Sequence, residues 1–356
     1  MIDFRYHLVS IVAVFLALAI GIVLGSTELQ GTTIDALRLS SNQLNTELNA
    51  SNNQRDNYEQ QVHADQQFLT AAEPRLLAGE LPGDRIVLVT EPGAPSSVIS
   101  GIKQAAGLAG ATVTGEVALQ PTFNDLSGAT QSSMAALNSN LASADQTTLA
   151  TPSNQQTANQ QQAAQLIGTA ILATSTAAET QGISSPDAQT LLEAYAQAGY
   201  LSISGTPYAD RATLAVIVTP ATAPADGQND PANQVLLAVA EEFASASAAT
   251  IVVGSTAGSS PSGSAISVLR SSSVSSDVSS VDNADTTVGQ VATMWAVAQQ
   301  LGTGKANSYG ISGASAVSPV PSAVPSATPS TTVTPTPHPT KTGKGDKSVK
   351  KSVKKK

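Results

Sequence analysis

The chain has 356 residues, of which 41% are hydrophobic, 12% charged, only 3% aromatic and none cysteine. Without cysteine there is no disulfide framework, no thiolate metal site and no cysteine nucleophile. The net charge of −9 hides an asymmetry: eight lysines and one acid lie in residues 341–356, so the body carries −16 and disfavours nucleic acid as a partner.

Residues 1–7 form a short amino-terminal segment. From 8 to 24 the sequence LVSIVAVFLALAIGIVL holds no charge, and an α-helix of that length spans about 25 Å. The residues that would face lipid are Leu8, Val12, Phe15, Leu16, Leu18, Ile20, Ile22 and Leu24. A cleaved signal peptide and a buried core helix are the competing readings. The apolar run is longer than a usual signal core, which favours an uncleaved anchor over residues 8–25. Arg5 precedes the run while Glu28 and Asp35 follow it, so the positive-inside rule predicts a cytoplasmic N-terminus in the cell membrane, a single pass and an extracytoplasmic body.

Residues 26–78 read as a helix with heptad character, closed by Pro74. Its apolar seam is Ile34, Leu37, Leu44, Leu48, Tyr58, Val62 and Leu69, weakened by Ser41, Ser51, Arg55 and Asp65. Such a helix either lies on its own domain or forms a coiled coil. An anchor that aligns neighbouring helices favours a parallel homodimer or higher oligomer.

An extracytoplasmic α/β domain is predicted over residues 79–312. RIVLVT at 85–90 reads as a buried strand, 96–109 as a helix and 111–119 as a second strand, one β-α-β unit. The syntax recurs with strands at 214–219 and 250–254 around a helix at 232–248. Shorter strands are expected at 200–203 and 274–281, and Gln/Ala-rich helices broken at Pro152 form an insertion over 125–198. The fold class is therefore α/β, a doubly wound and mostly parallel domain behind a transmembrane helix and coiled coil. Residues 313–356, rich in Pro, Ser and Thr and ending in lysine, are expected to be disordered. Anionic wall polymers or lipid head groups would suit the cationic tip.

Little in the domain asks for catalysis. There is no G-x-S-x-G elbow, and the three histidines, His7, His63 and His338, all lie outside it. The adjacent acids Glu241 and Glu242 read as a solvated helix face. The loop after the first strand, Glu91-Pro92-Gly93-Ala94-Pro95, is no phosphate loop, and residues 254–263 read as a flexible one. Met1, Met134 and Met294 are too scattered for a soft-metal site. The densest polar motif is SSDVSSVDNAD at 275–285, where Asp277, Asp282, Asn283 and Asp285 form a candidate ligand or partner motif. Asp285 or Thr286 capping the following helix is the plainer account.

The opening MIDFRYHLVSIVAVFLALAIGIVLGS, the GDRIVLV strand, SSDVSSVDNAD and the closing YG together resemble the actinobacterial copper transporter family named for MctB. The resemblance covers roughly residues 1–310. It implies a role in copper export and homeostasis rather than an enzyme, with copper implied by the family alone and no cofactor identified. One uncharged span gives copper no path by itself. The alternative is therefore a non-catalytic envelope scaffold that binds a cell-wall remodelling or cell-division partner through its coiled coil and α/β domain.

Overall fold

Short runs of β-branched residues buried on both faces are what a parallel sheet covered by helices requires. The computed structural model describes residues 4–175, 183–224, 227–259 and 262–319, and for 27–34 the backbone alone. Its strands are β1 (Arg85–Thr90), β2 (Thr112–Leu119), β3 (Leu201–Gly205), β4 (Leu214–Val218), β5 (Ala249–Val253), β6 (Val278–Val281) and β7 (Ser308–Tyr309). They form one sheet in the order β3-β2-β1-β4-β5-β6-β7, parallel throughout except for the antiparallel pair β2–β3. The strand order reverses between β1 and β4, the switch point of a doubly wound sheet.

Alternate residues of each central strand feed two separate cores. Ile86, Leu88, Val216 and Ile251 face α2 (Ser96–Ala109) and α9 (Thr287–Thr303), with Ile102, Met294 and Val297 packed on them. Val87, Val89, Ile217 and Val252 face α4 (Ala158–Ile171) and α6 (Pro231–Ala246), which supply Leu166, Ile167, Val239 and Phe243. The helices α4 and α6 approach closely because Gly168 has no side chain; a Cβ there would lie 3.3 Å from that of Ala246. The insertion between β2 and β3 is helical, as expected, and consists of α3 (Gly128–Ala144), α4 and α5 (Ser185–Gln197). Two short helices, α7 (Thr256–Ser259) and α8 (Ala265–Ser271), connect β5 to β6.

The sequence reading needs correction at three places. The expected strand at 274–281 begins only at Val278, because Ser273–Ser276 form a 3₁₀ turn that lets the Ser275 and Ser276 hydroxyls bond carbonyls three residues back. Pro74 does not end the first helix: α1 runs unbroken from Phe4 to Leu77, about 110 Å. Tertiary contacts carry its last turn past the proline. Leu77 is fully buried, and the Trp295 indole donates to the Leu76 carbonyl at 3.1 Å. Glu241 and Glu242 do not form a bare solvated face. They are half-buried and accept hydrogen bonds from Ser153 and Gln161, tying α6 to the insertion. The predicted disorder of the tail beyond 319 lies outside the described residues.

Candidate functional site

The DNAD motif sits where β6 leaves the sheet, and the structure gives its residues separate roles. Asp282 is completely buried and pairs with the Arg270 guanidinium of α8 at 2.9 Å. Its Oδ1 accepts the Ile311 amide and its Oδ2 the Ser312 amide, both at 2.8 Å. Arg270 also donates to the Ser280 hydroxyl and to the carbonyls of Tyr309 and Ser312. Gly310, at φ 126°, is required here because a Cβ would strike the Asp282 carboxylate. Every strong acceptor of Asp282 is thus used to fold the chain back at residues 309–312.

The neighbouring motif residues do other work. Asp285 is exposed and accepts from the amide and hydroxyl of Thr256, capping α7 rather than the helix that follows it. Thr286 caps α9 through the Gly289 amide, as anticipated for one of these two residues. Asp277 is exposed and bonds Ser276. Asn283 is buried with its side-chain oxygen unpaired. Asp282 is thus a structural lock, while Asp277 and Asp285 bond partners of their own and Asn283 keeps a free side-chain oxygen.

The seam residues lie on one continuous helix. Leu37, Leu44, Leu48, Tyr58 and Val62 are all more than half exposed, Leu69 is half-buried, and the Ile34 side chain lies outside the described residues. Among the described residues, α1 is packed only at its root: Thr70 meets Thr287, and Glu73 has one oxygen unpaired and a pKa raised by burial. At the other end, Phe4–Ser26 is long and apolar enough to cross a membrane, with mean hydropathy 2.9, and none of its best window packs against the rest of the chain. The anchor residues Leu8, Val12, Phe15, Leu16, Leu18, Ile20, Ile22 and Leu24 are accordingly exposed.

Among the described residues there is no group of three or more His, Cys, Asp or Glu side chains able to hold a metal ion. Met134 and Met294 are buried in the two different cores, on opposite faces of the sheet. Two residues not singled out from the sequence matter to these sites. Arg270 is one of only nine basic residues outside the lysine tail, a scarcity that was its only local signal. Glu91, directly after β1, is 5% exposed, and burial pushes its pKa up to about 8.

The chain matches the family model described as "Copper transport outer membrane protein, MctB" over residues 1–321. It belongs to the MctB family. That match takes in the long helix, the α/β domain and the Asp282 lock, and stops as the Pro-rich tail begins. Copper transporter MctB of Mycobacterium tuberculosis (strain H37Rv) is 28% identical over 311 residues, covering 87% of this chain and 96% of the relative. Copper transporter MctB of Mycobacterium leprae is 27% identical over 325 residues, covering 90% of this chain and all of the relative. These MctB relatives are named as transport proteins, not as enzymes.

Proposed function

We propose that this chain serves copper export and homeostasis from the cell membrane, its N-terminus cytoplasmic and its α/β domain held outside on the long helix. The observation that carries this reading is the family match spanning anchor, helix and domain together. Copper is the cargo in this reading, not a resident cofactor. The described residues offer it no cluster of ligands, and the apolar span holds no charge from residue 8 to residue 24. Export by this chain therefore calls for an assembly. The exposed stripe of Leu37, Leu44, Leu48, Tyr58 and Val62 supports a parallel homodimer or higher oligomer. Deleting the gene should raise cell-associated copper, measured by mass spectrometry, and slow growth in copper medium. Normal copper content in the deletion strain refutes the export reading.

The same exposed stripe favours a second reading, an envelope scaffold whose helix and domain hold a protein partner. Crosslinking of the full chain in membranes separates the two readings. A scaffold yields a reproducible heterologous envelope partner and leaves copper content unchanged on deletion. Binding of anionic wall polymer or lipid by the lysine tail would serve either role, since eight positive charges at the end of a Pro-rich spacer suit a polyanion.

A further inference from the structure

Among the described residues, α1 is packed on the domain only over its last turns, against α2 and α9. Leu77 is fully buried in their core, the Trp295 indole donates to the Leu76 carbonyl at 3.1 Å, and the Thr70 and Thr287 hydroxyls are 3.0 Å apart. Two residues of this joint work against a permanent attachment. Pro74 has no amide hydrogen, so the Thr70 carbonyl four residues back receives no helical bond from it, and a helix bends most readily at such a place. Glu73, directly before the proline, is 2% exposed, and its Oε1 is buried without a hydrogen-bond partner. A polar atom left unpaired in the interior is costly, and more so when its group is charged.

No positive charge answers that carboxyl from the elements around it. The helix α9 holds no ionisable side chain between Thr287 and Thr303. The helix α2 holds one, Lys103, whose ammonium is 2.7 Å from Glu116. The connection after α1 brings two more acids, Glu80 and Asp84, and Arg85 beyond it donates to the Arg211 carbonyl. On α1 itself Asp65 and Arg75 are exposed. Burial accordingly raises the Glu73 pKa from its ordinary 4.5 with no charge to lower it. Such a group supports the docked joint while neutral and opposes it once ionised, so docking weakens as pH rises above 4.5.

We propose that this joint is a proton-operated hinge. With Glu73 neutral the last turn of α1 stays seated on α2 and α9; with Glu73 charged the turn leaves its seat and the domain swings about Pro74. The device governs how the domain is presented at the end of the helix. It uses none of the anchor or seam residues, so it stands or falls apart from the copper reading.

The joint carries its own reporter, because Trp295 is the only tryptophan in the chain. In the full chain in detergent, titrated upward from pH 4.5, Trp295 emission should shift to the red as the indole loses the Leu76 carbonyl and meets water. Glu73→Gln keeps the shape but cannot ionise, and should hold the emission constant. Glu91→Gln, which removes a buried carboxyl outside the joint, should shift as the wild type does. Spin labels at Asn53→Cys on the helix and Lys305→Cys on the domain, both exposed and in a chain with no other cysteine, report the swing itself. Their distance distribution should be narrow at low pH and broaden as pH rises, and should stay narrow when Glu73→Gln is added. A red shift that survives Glu73→Gln, or that is lost in Glu91→Gln, overturns the hinge. A label distance unchanged by pH with Glu73 in place overturns it as well, and that measurement holds even where the glutamine variant fails to fold.

Discussion

Asp282 and Arg270 are a buried ion pair whose worth lies in the hydrogen bonds around it. An isolated pair at such depth would barely offset its own desolvation, but here the carboxylate takes two amides and the guanidinium takes two carbonyls and a hydroxyl. Removing one partner strands the other. Asp282→Asn is expected to cost about 3–5 kcal/mol in urea unfolding of the full chain. Loss of less than about 1 kcal/mol would mean that the turn at 309–312 is held some other way. Glu91 makes the opposite kind of demand, since it is buried with no ion-pair partner among the described residues. Its folded pKa of about 8 exceeds the ordinary carboxylate value of 4.5, so the unfolded chain gives up its proton first. Stability from this group is therefore complete at low pH and falls as pH rises from about 4.5 to about 8. Glu91→Gln should be the more stable protein at pH 7, by up to about 3 kcal/mol, and should show a flatter pH profile. Matching profiles for the two proteins would exclude ionisation of Glu91 as a source of pH sensitivity.

At the scale of elements, legibility followed burial. The strands β1, β4 and β5 are covered on both faces, so their sequences are continuous β-branched runs that announce themselves. By contrast β6 reads VSSV, and its two serines are at home in the sheet only because Ser279 bonds Gln300 and Ser280 bonds Arg270. Those partners lie 21 and 10 residues away, beyond any local pattern. The antiparallel sense of β3 was equally hidden, since the helices of the insertion decide from which end the chain re-enters. The same held for the candidate site: Asp282 could be picked out as a dense polar motif, while its conversion into a lock depended on where Arg270 and Gly310 came to rest. The root of α1 belongs to this class too. Trp295 reaches the Leu76 carbonyl across 219 positions of sequence. Trp295→Phe keeps most of the packing and loses that bond, so hydrogen exchange over residues 66–77 should quicken, with a loss of about 1 kcal/mol. Unchanged exchange there would show that apolar packing alone holds the helix to the domain.

The described residues form a 74-residue helix with an α/β domain at its C-terminal end. From Ser26 to Leu77 the helix is about 75 Å long, so a span embedded at Phe4–Ser26 would place the domain far from the bilayer surface. The outward domain proposed above rests on the positive-inside rule, with Arg5 and His7 ahead of the apolar run and Glu28 and Asp35 after it. The absence of native cysteine makes this arrangement directly testable, because any introduced thiol is the only one in the chain. Asn53→Cys lies on the exposed helix away from the apolar seam, and Asp3→Cys lies before the span. In intact cells a membrane-impermeant maleimide should label position 53 and leave position 3 untouched until the membrane is opened. Labelling of both in intact cells would mean that the span does not cross the membrane, and labelling of position 3 alone would reverse the topology. A full-length chain with thiol still at position 3 would also show that the anchor is retained, since cleavage after the span would release the domain without it.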